Sequence, residues 1–204
     1  MKRIVTAITG ASGAIYGFRL IKAMAEAGTE IHLIISGAAR FVIEEELQLT
    51  QKTFKANLET FCRQNPKTTL EYHEAGDFTA APASGSKPMD AMVVCPCTMA
   101  TLGAISSGAG TNLIHRAADV TLKEKRPLIL VPREMPLSLI HLQNITQVAQ
   151  AGATILPASP SFYSRPGSIA ALADTVVARI LDHLGITPMR ELTPRWKTSH
   201  DSGN

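Results

Sequence analysis

Ser12 stands in a turn between two glycines, Thr9-Gly10-Ala11-Ser12-Gly13, with Gly17 four residues beyond the second. Glycines there permit a tight turn, and the N–H groups that open a following helix can face an anion. The dinucleotide fingerprint G-x-G-x-x-G would need glycine at position 12. Serine instead brings a hydroxyl that can donate a hydrogen bond to a ligand or relay a proton. A plain strand-to-helix turn is the alternative reading. Ser36, in Ile35-Ser36-Gly37-Ala38-Ala39-Arg40, is either a second hydroxyl at a ligand or a helix N-cap. An NAD site would want Asp or Glu there to hold a ribose; its place is taken by Ser36, and Arg40 leaves only an NADP reading open.

Cys95-Pro96-Cys97 invites zinc, but a single C-x-C without a second Cys or His pair is a poor metal site, and Cys95 reads as a buried strand residue. In the run that follows, Thr98-Met99-Ala100-Thr101, the two threonines can offer hydroxyls and helix-start amides to a phosphate. Val131-Pro132-Arg133-Glu134 sets a cation beside a carboxylate: Arg133 suits bidentate phosphate binding, Glu134 proton transfer. Pro157–Pro166 adds a loop bearing Phe162 and Tyr163. Any one of these charges alone reads more simply as a solvated turn, so the case rests on their convergence. The six histidines show neither H-x-x-E nor H-x3-H spacing and read as surface or core residues. With no D-D-x-x-D clamp for a magnesium diphosphate either, no metal is expected.

These residues converge only if particular elements position them. Short apolar, β-branched runs recur at Ile4–Ile8, Ile31–Ile35, Ala91–Cys95, Leu128–Val131 and Thr154–Leu156, each too short for a buried helix. Helical spacing fills Ile15–Met24 closing at Gly28, Leu137–Ala151 closing at Gly152, and Ile169–Leu184 closing at Gly185. The alternation predicts an α/β, Rossmann-like parallel sheet with helices on both faces. Ligands of such sheets bind beyond the carboxyl ends of the strands, where all the motifs above fall. Ala80–Ser86 reads as a mobile loop.

At 204 residues and 45% apolar content the chain can bury one sizeable core, so residues 1–186 are expected to form a single domain and 187–204 an irregular tail bearing the only tryptophan, Trp196. The net charge of +3 is spread along the chain, which argues against nucleic acid. The chain enters a strand pattern without a leader, and no apolar run reaches the ~18 residues that span a bilayer. Together with three cysteines, two of them too close for an ordinary disulfide, this predicts a cytoplasmic protein off the membrane. A charged content of only 18% suggests that some apolar surface is hidden by self-association.

Several stretches in chain order resemble the UbiX flavin prenyltransferases: Thr9-Gly10-Ala11-Ser12-Gly13-Ala14, Cys95-Pro96-Cys97, Arg116-Ala117-Ala118-Asp119-Val120 with Leu122-Lys123-Glu124, Val131-Pro132-Arg133-Glu134, and Phe162-Tyr163 before Pro166. The likeness runs from about Lys2 to Trp196. It implies a flavodoxin-like Rossmann fold, a homododecamer of trimers, and transfer of a dimethylallyl group from dimethylallyl monophosphate to N5 and C6 of reduced FMN. The product, prenylated FMN, would serve a UbiD-type decarboxylase. By resemblance Gly10, Ala11, Ser12, Ser36, Thr98, Met99, Ala100, Thr101 and Arg133 contact FMN. Lys123, Tyr163 and Arg179, with Arg133, hold the substrate phosphate, some of them from a neighbouring chain; Arg116 and Trp196 also belong to the substrate site, Trp196 lining the prenyl pocket. Ser12, Glu46 and Glu134 handle protons.

A monophosphate leaving group can be neutralised by Lys and Arg alone, which agrees with the missing magnesium clamp. Two departures from the family pattern are Gly37, where lysine is frequent, and Thr98, where serine is usual. The nearest rival is an FMN-dependent decarboxylase of peptidyl or pantothenoyl cysteine. Those enzymes carry P-A-S-A-N-T where this chain has Pro96–Thr101, and a histidine on the helix that here bears Glu44, Glu45 and Glu46. A non-catalytic flavin- or NADP-binding module would leave Lys123, Arg133, Glu134 and Arg179 without a task.

Overall fold

The computed structural model describes residues 1–194. The predicted alternation is realised as a six-stranded, all-parallel sheet in the order β3-β2-β1-β4-β5-β6, the order of doubly wound Rossmann-like sheets. The strands are β1 (Arg3–Ile8), β2 (Glu30–Ile35), β3 (Thr69–Glu74), β4 (Ala91–Cys97), β5 (Leu128–Pro132) and β6 (Thr154–Ile155). The helices are α1 (Ala14–Glu26), α2 (Gly37–Leu47), α3 (Gln51–Arg63), α4 (Met99–Ser106), α5 (Leu113–Lys123), α6 (Leu139–Gln150) and α7 (Ile169–Leu184).

Along β1 successive side chains point to opposite faces, and both faces are covered. Ile4 and Ile8 join Leu20, Phe54, Leu58 and Val177 in the core under α1, α3 and α7. Val5 and Ala7 join Leu102, Leu113, Ala117 and Val148 in the core under α4, α5 and α6. On the first face α1 comes so close to the sheet that a Cβ on Gly17 would sit 2.4 Å from the Cys95 carbonyl oxygen. The paired charges of Arg19 and Asp174 tie α1 to α7. Among the described residues no helix is long and apolar enough to cross a membrane.

Two features depart from the sequence expectations. β3 reads Thr-Leu-Glu-Tyr-His-Glu, an alternating edge strand and not an apolar run, which is why a search for fully buried strands passes over it. Ala81–Ala83 form a 3₁₀ turn with Pro82 buried, and the Arg116 Nε donates to the Ala83 carbonyl at 3.1 Å, so this stretch is pinned to α5. Beyond α7 the chain turns back on the body: Ile186 is buried, Leu192 packs on the first core, and Arg190 pairs with Glu26 at 3.6 Å.

Candidate active site

All strands run the same way, but strand order reverses between β1 and β4, and this switch point leaves a crevice outside their carboxyl ends. The loops there are bonded to one another. The Thr9 hydroxyl donates to the Pro96 carbonyl at 2.9 Å and accepts the Thr98 N–H at 2.8 Å. Arg133 donates its backbone N–H to the Cys97 carbonyl at 3.3 Å and its Nε to the Ser12 carbonyl at 3.2 Å. Ser12, Gly10, Thr98 and Arg133 therefore meet around one crevice, with the Ser12 and Arg133 side chains exposed to it. Ala11 and Met99 are buried beneath the loops, and Ala100 is exposed at the start of α4.

Ser36 is the N-cap of α2, accepting the Ala39 N–H at 3.1 Å, and this leaves its own proton to donate. Both readings of this serine are thus compatible with one geometry. Thr98 caps α4 by accepting the Thr101 N–H at 3.1 Å, but it spends its proton on the Thr101 hydroxyl at 2.9 Å. Glu134 is exposed beside Arg133, one oxygen accepting the Met135 N–H at 3.1 Å.

The N–H groups opening α1 are not free for a ligand anion as expected. Glu46, from the last turn of α2, accepts the Gly13 N–H at 2.8 and 3.0 Å and the Ala14 N–H at 2.8 Å. A carboxylate at a helix N-terminus is favoured by the orphan amides and by the dipole. The protein thus fills with its own side chain the seat that a dinucleotide pyrophosphate takes in G-x-G-x-x-G folds. Glycine at position 13 is required for this, since its φ of 107° is in the left-handed region.

The Cys-Pro-Cys thiols are fully buried; burial pushes Cys97 up to about 12 and drives Cys95 upward as well. They are protonated core groups, and Cys95 is the buried strand residue that the sequence suggests.

The remaining predicted residues lie elsewhere on the chain. Tyr163 and Arg179 line a cavity of about 650 Å³ together with Asp182, Pro188 and Leu192, and Arg133 is not among its described lining residues. Lys123 ends α5, at the amino side of the sheet: it bonds Glu124 at 2.7 Å and its Nζ stands 3.1 Å from where a Cβ on Gly85 would be. Arg116 is occupied by Ala83 and Asp119. Trp196 lies outside the described residues. One chain therefore presents three separate groups of predicted site residues.

Comparison with known proteins assigns the chain to a family. A Flavoprotein family model matches residues 1–183. The flavin prenyltransferase UbiX of Pseudomonas aeruginosa is 46% identical over 203 residues, covering 98% of this chain and 96% of that protein. The chain belongs to the flavin prenyltransferase UbiX family. The crystal structure of AnUbiX (PadA1) in complex with FMN and dimethylallyl pyrophosphate superposes with a TM-score of 0.87 at 40% identity, covering 97% of this chain and 98% of that one. A dodecameric FMN-dependent UbiX-like decarboxylase from Escherichia coli O157:H7 superposes with a TM-score of 0.86 at 38% identity, covering 97% of this chain and all of the other.

Within this UbiX fold the strand-end groups fit FMN and not a dinucleotide. The crevice offers one guanidinium and neutral hydroxyls, suited to a monophosphate and a ribityl chain. Position 36 is a serine where a ribose would want a carboxylate, and Glu46 already holds the α1 amides. What sequence reasoning missed in this UbiX site is that capping contact. The [ST]-x-x-[DE] signature of an N-cap concerns residues three apart, whereas Glu46 is 33 residues from Gly13.

Proposed function

We propose that this chain joins a dimethylallyl group from dimethylallyl monophosphate to N5 and C6 of reduced FMN, without a metal ion, and hands the prenylated FMN to a UbiD-type decarboxylase. The observation that carries this reading is the Glu46 carboxylate seated on the Gly13 and Ala14 amides beside Ser12. It closes the dinucleotide seat and sets a base at the strand-end crevice. Reduced FMN, when bound, supplies electron-rich ring atoms for the new carbon bonds. Ser36, Thr98 to Thr101 and Arg133 hold it beside the Gly10–Ser12 loop. Ser12 and Glu46 take up the proton released on ring closure, and Glu134 exchanges protons beside Arg133.

Lys123, Tyr163, Arg179 and Arg133 hold the monophosphate, the three cations neutralising its charge, with Arg116 and Trp196 completing the substrate site. Because Lys123, at the amino end of the sheet, stands apart from Arg133 at the carboxyl end within one chain, neighbouring copies complete each site. An apolar strip supports the assembly: Met135, Leu139 and Ile140 are 84%, 70% and 67% exposed, and Leu137, Leu142 and Phe162 are exposed with them. We take that assembly to be a homododecamer, as in the E. coli relative, and place it in the cytoplasm, where its three unpaired cysteines stay reduced.

The deciding experiment is anaerobic incubation of the purified chain with reduced FMN and dimethylallyl monophosphate, followed by mass spectrometry of the extracted flavin. The expected product is FMN carrying one added five-carbon unit. Unmodified FMN, or decarboxylation of a cysteinyl substrate in its place, would overturn the reading.

A further inference from the structure

Thr9 is 1% exposed, directly after β1 and directly before the Gly10–Ser12 turn, and so is closed to any ligand that enters from solvent. The backbone register of β1 with β4 ends at Ala7 and Val94, before Thr9 is reached. Bonds of Thr9 take over from there. Its N–H donates to the Pro96 carbonyl at 3.2 Å, its hydroxyl donates to the same carbonyl at 2.9 Å, and the hydroxyl oxygen accepts the Thr98 N–H at 2.8 Å. The tie continues into α4, because the Thr98 hydroxyl accepts the Thr101 N–H and donates to the Thr101 hydroxyl. On the other side the turn is wedged against α2: a Cβ on Gly10 would stand 2.5 Å from the Ala38 Cβ. The turn cannot slide that way, and its distance from the Thr98–Thr101 run is set by what Thr9 bonds.

We propose that Thr9 is a positioning residue for the flavin: its hydroxyl fixes the spacing between the Gly10–Ser12 turn and the Thr98–Thr101 run, the two runs assigned to FMN. The proposal rests on the flavin reading of the crevice and adds to it a residue that touches neither flavin nor substrate. A crevice whose walls are set in advance spares FMN the cost of ordering them on binding. Packing alone accounts for the burial of Thr9, and valine, of nearly the same shape, would meet that need. It does not account for a hydroxyl whose proton and lone pair both go to the end of β4 and the cap of α4. A buried hydroxyl stabilises only when such partners are present, and removing it leaves the Thr98 N–H without an acceptor.

The test measures FMN affinity of the full chain by quenching of flavin fluorescence, beside the unfolding temperature. The parent should bind FMN saturably. Thr9→Val should weaken FMN by about tenfold or more, since a misplacement of about 1 Å in a binding wall can cost about 100-fold. Thr9→Ser keeps the hydroxyl and should stay within about threefold of the parent. Thr9→Ala set against Thr9→Ser repeats the contrast with the methyl absent from both, and decides the matter should valine disturb the fold. Ile31→Val, fully buried at the amino end of β2, controls for lost stability: it should lower the unfolding temperature and leave FMN affinity as in the parent. A parent that binds no FMN would overturn the flavin reading and the proposal with it. With the parent binding, the proposal alone fails if a variant lacking the hydroxyl binds as the parent does, if Thr9→Ser loses as much as those variants, or if Ile31→Val loses affinity equally.

Discussion

Replacing Glu46 separates its two possible duties, holding the α1 N-terminus and accepting a proton. Glu46→Ala removes the acceptor of the Gly13 and Ala14 N–H groups. Loss of an N-cap costs ~0.5–2 kcal/mol, and loss of a carboxylate at the helix dipole ~0.3–1 kcal/mol. The side chain is exposed, so screening holds the sum to roughly 1–2 kcal/mol. For a chain of this size that is a fall of about 2–8 °C in the unfolding midpoint. Glu46→Gln keeps an amide oxygen for the same N–H groups and loses only the charge, so the midpoint should fall by about 1–3 °C. General-base catalysis is worth about 10²–10⁴ in rate, so turnover should drop by at least about 10² in both variants. Urea or thermal unfolding at fixed protein concentration, paired with timed quantitation of prenylated FMN, reads both quantities. A Gln variant with parental turnover would leave Glu46 as a helix cap alone. An Ala variant with parental stability would refute the capping argument.

Gly17→Ala should destabilise by about 1–3 kcal/mol in urea titrations, because the new Cβ meets the Cys95 carbonyl oxygen at 2.4 Å and α1 must lift from β4; a neutral result would mean that this approach is looser than described. Arg179→Ala should leave FMN binding intact while turnover falls by about 10² or more, since Arg179 lines the Tyr163 cavity and its ion pair with Asp182 is exposed and worth little. Equal loss of flavin binding and turnover would assign Arg179 to the flavin or the fold. Cys95 and Cys97 should resist a thiol-specific reagent at pH 8 in the folded protein and react only after unfolding, because burial holds Cys97 near 12 and Cys95 high as well. Rapid labelling of either in the native state would contradict that burial.

How much was legible from residue order follows how local each cause is. The central strands, the caps Ser36 and Gly185, and α7 over Ile169–Leu184 were readable, because hydrophobic period and capping chemistry act over a few neighbouring residues. The common edge was readable too: a parallel sheet brings the ends of β1, β2, β4 and β5 to one side, and Ser12, Ser36, Thr98 and Arg133 stand just beyond those ends. β3 was not, since an edge strand is covered on fewer sides and its composition alternates. Only the tertiary structure decided that Glu46 reaches across from α2 to the Gly13 and Ala14 amides. It alone set Lys123 at the amino end of the sheet, away from Arg133, and brought His32 to His73 across 41 residues. Each of those contacts is set by helix docking or strand register. Both are determined by how the whole core packs, and neither leaves a periodic trace in the stretch of chain where the residue sits.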